Sequence, residues 1–262
     1  MISSVSSVAE ILAIAAHRDD AEQTCGGTLL KMAARGHRTA ILDLTRGEMG
    51  TRGTAQDRER EAAEAARILN VSWRGALDIP DGRVENTWEN KLKVAAVIRM
   101  LRPRVVILPY WQGRHPDHYT CSTLGYEACF LAGLTKLDLA SIRPEALAVN
   151  LGSSDKALTG HSAHRPFKIV YATLYYDIRP TFVVDITEHF EARFQALMAY
   201  KSQYADQQAG TGLFPKHAEI RTRLETMARF YGMLAGVDYA EPFLQKEVGL
   251  IDDLTAIPVA SL

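Results

Sequence analysis

Two short stretches of the chain concentrate the side chains that could do chemistry. In AAHRDDAEQTCGGTL, His17, Arg18, Asp19 and Asp20 stand side by side directly after an apolar run. In YWQGRHPDHYT, which follows the apolar run RVVILPY, His115, Asp117 and His118 fall close together. Zinc prefers imidazole nitrogen and carboxylate oxygen, and a catalytic zinc usually takes three protein ligands and keeps one position open. His17, Asp20 and His118 supply such a set. Asp19 is then a candidate base, and His115 with Asp117 a candidate acid, close to the metal. Each stretch also has an ordinary reading: adjacent carboxylates on a loop are usually solvated or cap a helix, and Pro116 with Asp117 suits a helix N-terminus. The second cluster adds independent weight to the chemical reading of the first.

The elements that must position these residues alternate along the chain. The β-type runs EILAIAA, TAILDLT, RGALDIP and RVVILPY are separated by helical stretches such as LLKMAARG, DREREAAEAARILN and WENKLKVAAVIRMLR. This pattern predicts an α/β fold, a Rossmann-like, mostly parallel sheet flanked by helices, in one domain over residues 1–262. Thr54 and Thr87 are expected to cap two of the helices, and Pro103 to stop the second. The stretch from Leu137 to Pro166 is rich in Gly, Ser and Pro, lacks clean periodicity and reads as a surface excursion. After it come KIVYATLYY and TFVVDI, then helical segments around FEARFQALMAYKSQY and IRTRLETMARFYGML. In an open α/β sheet the ligand crevice lies beyond the carboxyl ends of the strands, where both clusters fall. The two could therefore meet in one crevice.

Composition narrows the function class. With 262 residues, 47% hydrophobic and 23% charged, the chain has ample length for a full core. A net charge of -1 gives no basic field for nucleic acid. The N-terminus lacks a basic leader region and no run approaches the roughly 20 apolar residues of a membrane span, so a cytoplasmic protein with no membrane partner is expected. Cys25, Cys121 and Cys129, without a CxxC pair, read as small buried hydrophobes. Gly26 and Gly27 are not followed by the glycine spacing of a dinucleotide loop, so no nucleotide cofactor is expected. His37, His161, His164, His189 and His217 lack a paired ligand spacing. Trp73, Trp88 and Trp111 read as core or crevice-wall groups, with Trp111 placed best to touch a sugar face.

The two motifs resemble the signatures of the PIG-L/LmbE family of zinc-dependent N-acetylglucosamine deacetylases, whose first motif is commonly AHPDDxE followed by glycines. The resemblance continues through LDLTRGEMGTRGT, DREREAAEAARILNV, LDIPDG, AYKSQY and EPFLQKE, covering nearly the whole chain. It is greatest toward deacetylases of bacillithiol synthesis, which act on N-acetylglucosaminyl-malate. It implies His17, Asp20 and His118 as ligands of one zinc per subunit, Asp19 as general base, and His115 as oxyanion stabiliser or proton donor oriented by Asp117. It further implies that Arg58 and Asp81 contact sugar hydroxyls and that Tyr200 reaches the carbonyl. Arg52 and Arg114 are candidates for the malate carboxylates from their charge alone. A small GlcNAc conjugate is the expected substrate partner, and a homo-oligomer, trimer or hexamer, the expected assembly. Two alternatives stand beside GlcNAc-malate deacetylation: another small GlcNAc glycoside or chitooligosaccharide as substrate, and a noncatalytic metal- or sugar-binding protein, against which the retention of Asp19 and His115 argues. Arg18 departs from the family's usual proline and is expected to face solvent; the sharper alternative is contact with an anionic substrate group or another subunit.

Overall fold

The structure, a computed structural model, describes residues 9–139, 142, 145–149, 162–173, 178–205 and 217–259. Its centre is β1 (Ile11–Ala15), whose ILAIA is buried at every position. A run apolar on both faces suits a parallel strand covered on both sides. Parallel neighbours are β2 (Thr39–Asp43) and, beyond it, β3 (Trp73–Ala76) on one side, and β4 (Val105–Pro109) followed by β6 (Lys168–Ala172) on the other. Antiparallel strands complete the sheet: β5 (Glu145–Val149) outside β3, and β8 (Ala240–Leu244) with β7 (Phe182–Asp185) outside β6. Among the described residues the eight-stranded order is β5-β3-β2-β1-β4-β6-β8-β7, the expected mostly parallel α/β sheet.

Alternation along β1 builds two cores. Leu12 and Ile14 belong to one with α4 (Trp88–Leu101) and α5 (Pro116–Ala132). Ile11 and Ala13 belong to the other with α1 (Asp20–Thr24), α2 (Gly26–Ala34), α3 (Ala55–Ile68) and α6 (Phe190–Met198). Two further helices follow α6, the four-residue α7 (Lys201–Tyr204) and α8 (His217–Met233). The local signals hold. Thr54 and Thr87 cap α3 and α4, and α4 ends with Arg102 in the left-handed region (φ 57) just before Pro103. The three cysteines are buried. Gly26 and Gly27 serve close packing: a Cβ on Gly27 would lie 2.9 Å from Ile186.

Two expectations change. The excursion from Leu137 to Pro166 contains β5, whose five residues are too few to show a period of two against the Gly- and Ser-rich background. Trp88 opens α4 and is 57% exposed, whereas Trp73 is core and Trp111 packs edge-on against Tyr171. His161 lies outside the described residues.

Candidate active site

The chain leaves β1 for β2 on one side and later inserts β4 on the other, so strand order reverses between β1 and β4. Adjacent parallel strands diverge in their connections there, which opens a crevice at their carboxyl ends. Its walls include Ala15, Asp20, Thr24, Pro109, His118 and Thr173. The two chemical stretches enter this crevice from opposite sides, as the sequence suggests.

Asp20 is the first residue of α1 and accepts a 2.9 Å hydrogen bond from the backbone N–H of His17. The His17 Nδ1 lies 3.2 Å from Nε2 of His118 and 3.5 Å from Asp20 Oδ2, while the same His118 nitrogen is 3.2 Å from Asp20 Oδ1. On its other side, His17 Nε2 meets Asp81 Oδ1 at 3.1 Å and Asp117 Oδ2 at 3.2 Å. Burial opposes charge on His17, but the hydrogen bonds of Asp117, Asp20 and Asp81 outweigh it and push its pKa up to about 12.

Among the described residues, two overlapping donor sets could hold a metal ion, each with ligand atoms within 4.8 Å of one another: His17, Asp20 and His118, or His17, His115 and Asp117. The hydrogen bonds favour the first. Metal-ligating histidines almost always donate their second ring N–H to a carboxylate, carbonyl or water. With Nδ1 of His17 facing Asp20 and His118, Nε2 already faces Asp81 and Asp117. Two imidazoles and one carboxylate fit a borderline divalent metal such as zinc.

Asp117 departs from its expected place. Its carboxylate accepts from the backbone N–H groups of Gly82 (2.8 Å) and Val84 (3.1 Å) as well as meeting His17, so it orients the candidate ligand histidine and the loop after β3. Its contact with His115 runs through the backbone: the Asp117 N–H donates to Nδ1 of His115, the residue capping α5. That bond leaves Nδ1 unprotonated and assigns the proton to Nε2. Burial, followed by the neighbouring His17 and His118, lowers the His115 pKa, which favours its neutral imidazole.

Asp19 caps α1 with φ 124 and ψ −16, a left-hand-side conformation rare for a residue with a Cβ. Such backbone persists only where surroundings impose it, and it clusters at functional sites. Both carboxylate oxygens are held: Arg58 Nη2 donates to Oδ1 at 3.2 Å and the Tyr204 hydroxyl to Oδ2 at 2.6 Å. Burial raises the Asp19 pKa by more than Arg58 lowers it, with Asp20 adding to the rise. Asp20 moves the other way: His118 and His17 overcome its burial and hold it well below the usual carboxylate range. Two adjacent carboxylates pushed apart in this way are equipped for different tasks, one to move a proton and one to stay ionised.

The remaining expected contacts are redistributed. Arg58 is 5% exposed and engaged with Asp19 and the carbonyl of Arg18, so it supports the candidate base. Tyr200 is fully buried with its hydroxyl 3.1 Å from Glu22 Oε1, which corrects its expected reach to a substrate carbonyl. Tyr204, four residues on in AYKSQY, is the tyrosine that enters the site. Arg52 exchanges hydrogen bonds with the backbone and side chain of Gln203, and Arg114 is exposed on the loop immediately before His115. Asp81 accepts from the Met49 N–H as well as meeting His17. Arg18 is 1% exposed, against the solvent-facing expectation; its Nη1 donates to the Ala55 carbonyl at the start of α3. Below the site, Arg74 binds Asp43 through two hydrogen bonds (2.8 and 3.0 Å) and Glu22 through one of 2.6 Å, all three side chains buried.

Residues 12–129 match the PIG-L family, described as GlcNAc-PI de-N-acetylase. A diacetylchitobiose deacetylase from Thermococcus kodakarensis is 32% identical over 247 residues, covering 89% of this chain and 82% of that protein. The chain belongs to the PIG-L deacetylase family. Among solved structures, a conserved protein of Thermus thermophilus superposes on this PIG-L chain with a TM-score of 0.76 and 37% identity, over 93% of this chain and 98% of the other. The N,N'-diacetylchitobiose deacetylase of Pyrococcus horikoshii, complexed with its inhibitor, gives 0.71 and 26%, over 90% and 83%. Among the described residues, no helix is long and apolar enough to cross a membrane.

Proposed function

We propose that this PIG-L protein is a zinc-dependent hydrolase that removes the acetyl group from a small N-acetylglucosamine conjugate. The observation that carries the reading is the meeting of the His17, Asp20 and His118 donor set with Asp19, held by both oxygens one residue from the ligand Asp20. Bound there, zinc would supply Lewis acidity to activate water and polarise the acetamide carbonyl. Asp19 takes the proton from the attacking water, and its raised pKa suits it to hold that proton and then pass it to the departing sugar nitrogen. Neutral His115 donates from Nε2 to the oxygen as negative charge develops on it. Asp81 and Asp117 keep His17 in the required ring orientation.

For the aglycone we favour malate, giving glucosaminyl-malate as in bacillithiol synthesis. Charge supports this: Arg114 is exposed immediately before His115, and Arg52 lies on the loop between β2 and α3, two cations for a dicarboxylate. A second reading, an N-acetylated chitooligosaccharide, is favoured by the 32% identity to the diacetylchitobiose deacetylase. The deciding assay measures acetate release by the zinc-loaded protein from GlcNAc-malate, diacetylchitobiose and GlcNAc, with Asp19→Asn as control. Preference for GlcNAc-malate, reduced about 10²–10⁴-fold in the variant, is the expected result. Preference for chitobiose moves the aglycone to the second reading. Equal rates in the variant would remove Asp19 from the base role, and zinc binding without turnover of any substrate would favour a noncatalytic binding protein.

A further inference from the structure

The hydroxyl that holds Asp19 comes from a remote segment. Tyr204 ends α7, a helix of only four residues. One helical turn is not stable on its own, so its placement depends on what it docks against. The dock is α3: Glu61 accepts from the Ser202 N–H at 2.6 Å through Oε1 and from the Ser202 hydroxyl at 2.7 Å through Oε2. Beside it, Gln203 Nε2 donates to the Arg52 carbonyl at 2.7 Å. Close approach is built into the opposing loop, because a Cβ on Gly53, itself at φ +71, would lie 2.7 Å from Ser202 Cβ and Oγ. The same α3 carries Arg58, which holds the other Asp19 oxygen. One helix therefore governs both contacts to the carboxylate, one directly and one through α7.

We propose that Tyr204 is a positioning residue for Asp19 and that Glu61 sets its place through Ser202. The proposal rests on the reading of Asp19 as the base of a deacetylase. Asp19 sits in a rare backbone conformation, and its carboxylate aims correctly only while the guanidinium and the phenol hold its two oxygens. The hydrogen bonds described above for Tyr204 and Glu61 run to Asp19 and Ser202, so their loss is expected to lower the rate with metal binding in place.

The test is a double-mutant cycle on kcat with Tyr204→Phe and Glu61→Ala in the zinc-loaded protein. Each single variant is expected to lower kcat about 10-fold, the rate equivalent of one charge-assisted hydrogen bond, with KM and bound zinc unchanged. In the Tyr204→Phe background, Glu61→Ala costs less than about twofold more, since residues acting through one contact are non-additive. Glu61→Gln, which can pair with both Ser202 groups, restores the rate. Amide exchange at residues 201–205 accelerates in Glu61→Ala, a readout independent of turnover. Wild-type kcat in Tyr204→Phe, or a raised KM at constant kcat, overturns the positioning role. Additive losses or unchanged exchange overturn the route through Glu61. If no GlcNAc conjugate is turned over by the unmodified protein, the deacetylase reading itself fails, a result separate from these.

Discussion

Replacing Arg74 by Met tests the ionic floor on which the site stands. Arg74 is fully buried and pairs with two equally buried carboxylates, Asp43 and Glu22, and Glu22 also receives the Tyr200 hydroxyl. Methionine fills similar space but leaves both carboxylates without this cation. Removing one partner of a buried pair costs about 3–5 kcal/mol, because a charge is left without compensation. At about 2–4 °C per kcal/mol for a chain of this size, the melting temperature should fall by roughly 10 °C. The loss should also depend on pH in a defined direction. Burial already raises the Asp43 pKa by more than Arg74 lowers it, and without Arg74 it rises further. The native variant then binds a proton that the unfolded chain, with an ordinary aspartate near about 3.9, has released. More protons bound in the native state mean that stability falls as pH rises. Urea unfolding at pH 5.5 and 8 should therefore show the larger destabilisation at pH 8. A difference from the unmodified protein below about 1 kcal/mol at pH 8, outside the range for a broken buried pair, or equal differences at both pH values, would refute the reasoning.

The candidate metal site gives two simpler outcomes. His118→Ala removes one of three donors and should lose zinc on dialysis, measured by elemental analysis; stoichiometric zinc in that variant contradicts the ligand set. Because carboxylates hold His17 in its protonated form, metal binding must displace that proton, so affinity measured against a chelator should rise from pH 6 to 8, and a flat profile would argue against His17 as ligand. In the core, Gly27→Ala places a methyl 2.9 Å from Ile186 and should destabilise by about 1–3 kcal/mol, read as a lowered urea midpoint; an unchanged midpoint would mean that Ile186 yields freely.

The parts of the site that sequence reasoning locates share one property: they are fixed by strand ends. Alternation of apolar runs with helical stretches dictates a parallel sheet, and His17 and His115 follow β1 and β4 at the point where strand order reverses. Residues whose side chains depend on tertiary docking are not legible in this way. Arg18 looks like a surface charge because arginine is mostly exposed, yet it fills the space between the first motif and the α3 terminus. Tyr200 and Tyr204 are not separable for a related reason. Helical periodicity would place residues four apart on one face, but α6 ends at Met198 and Tyr200 lies at the break, with φ −79 and ψ 65, before α7 begins. The chain turns there, sending Tyr200 down to Glu22 and Tyr204 across to Asp19.

The ionic floor does leave a signal. Asp43 in TAILDLT and Arg74 in RGALDIP are opposite charges inside two apolar runs, and the runs are neighbouring parallel strands. Ionised side chains are almost never fully buried unless paired, so each charge implies a partner at matching depth. In register, Arg74 stands beside Ile41 and Asp43 beside Ala76, which puts the two charges on a diagonal that a long arginine spans. Glu22, within the first motif itself, completes the network. The polar interruptions in the strands and the polar cluster after β1 are thus connected, and the buried arginine ties the sheet to the helix that begins with Asp20, a candidate metal ligand.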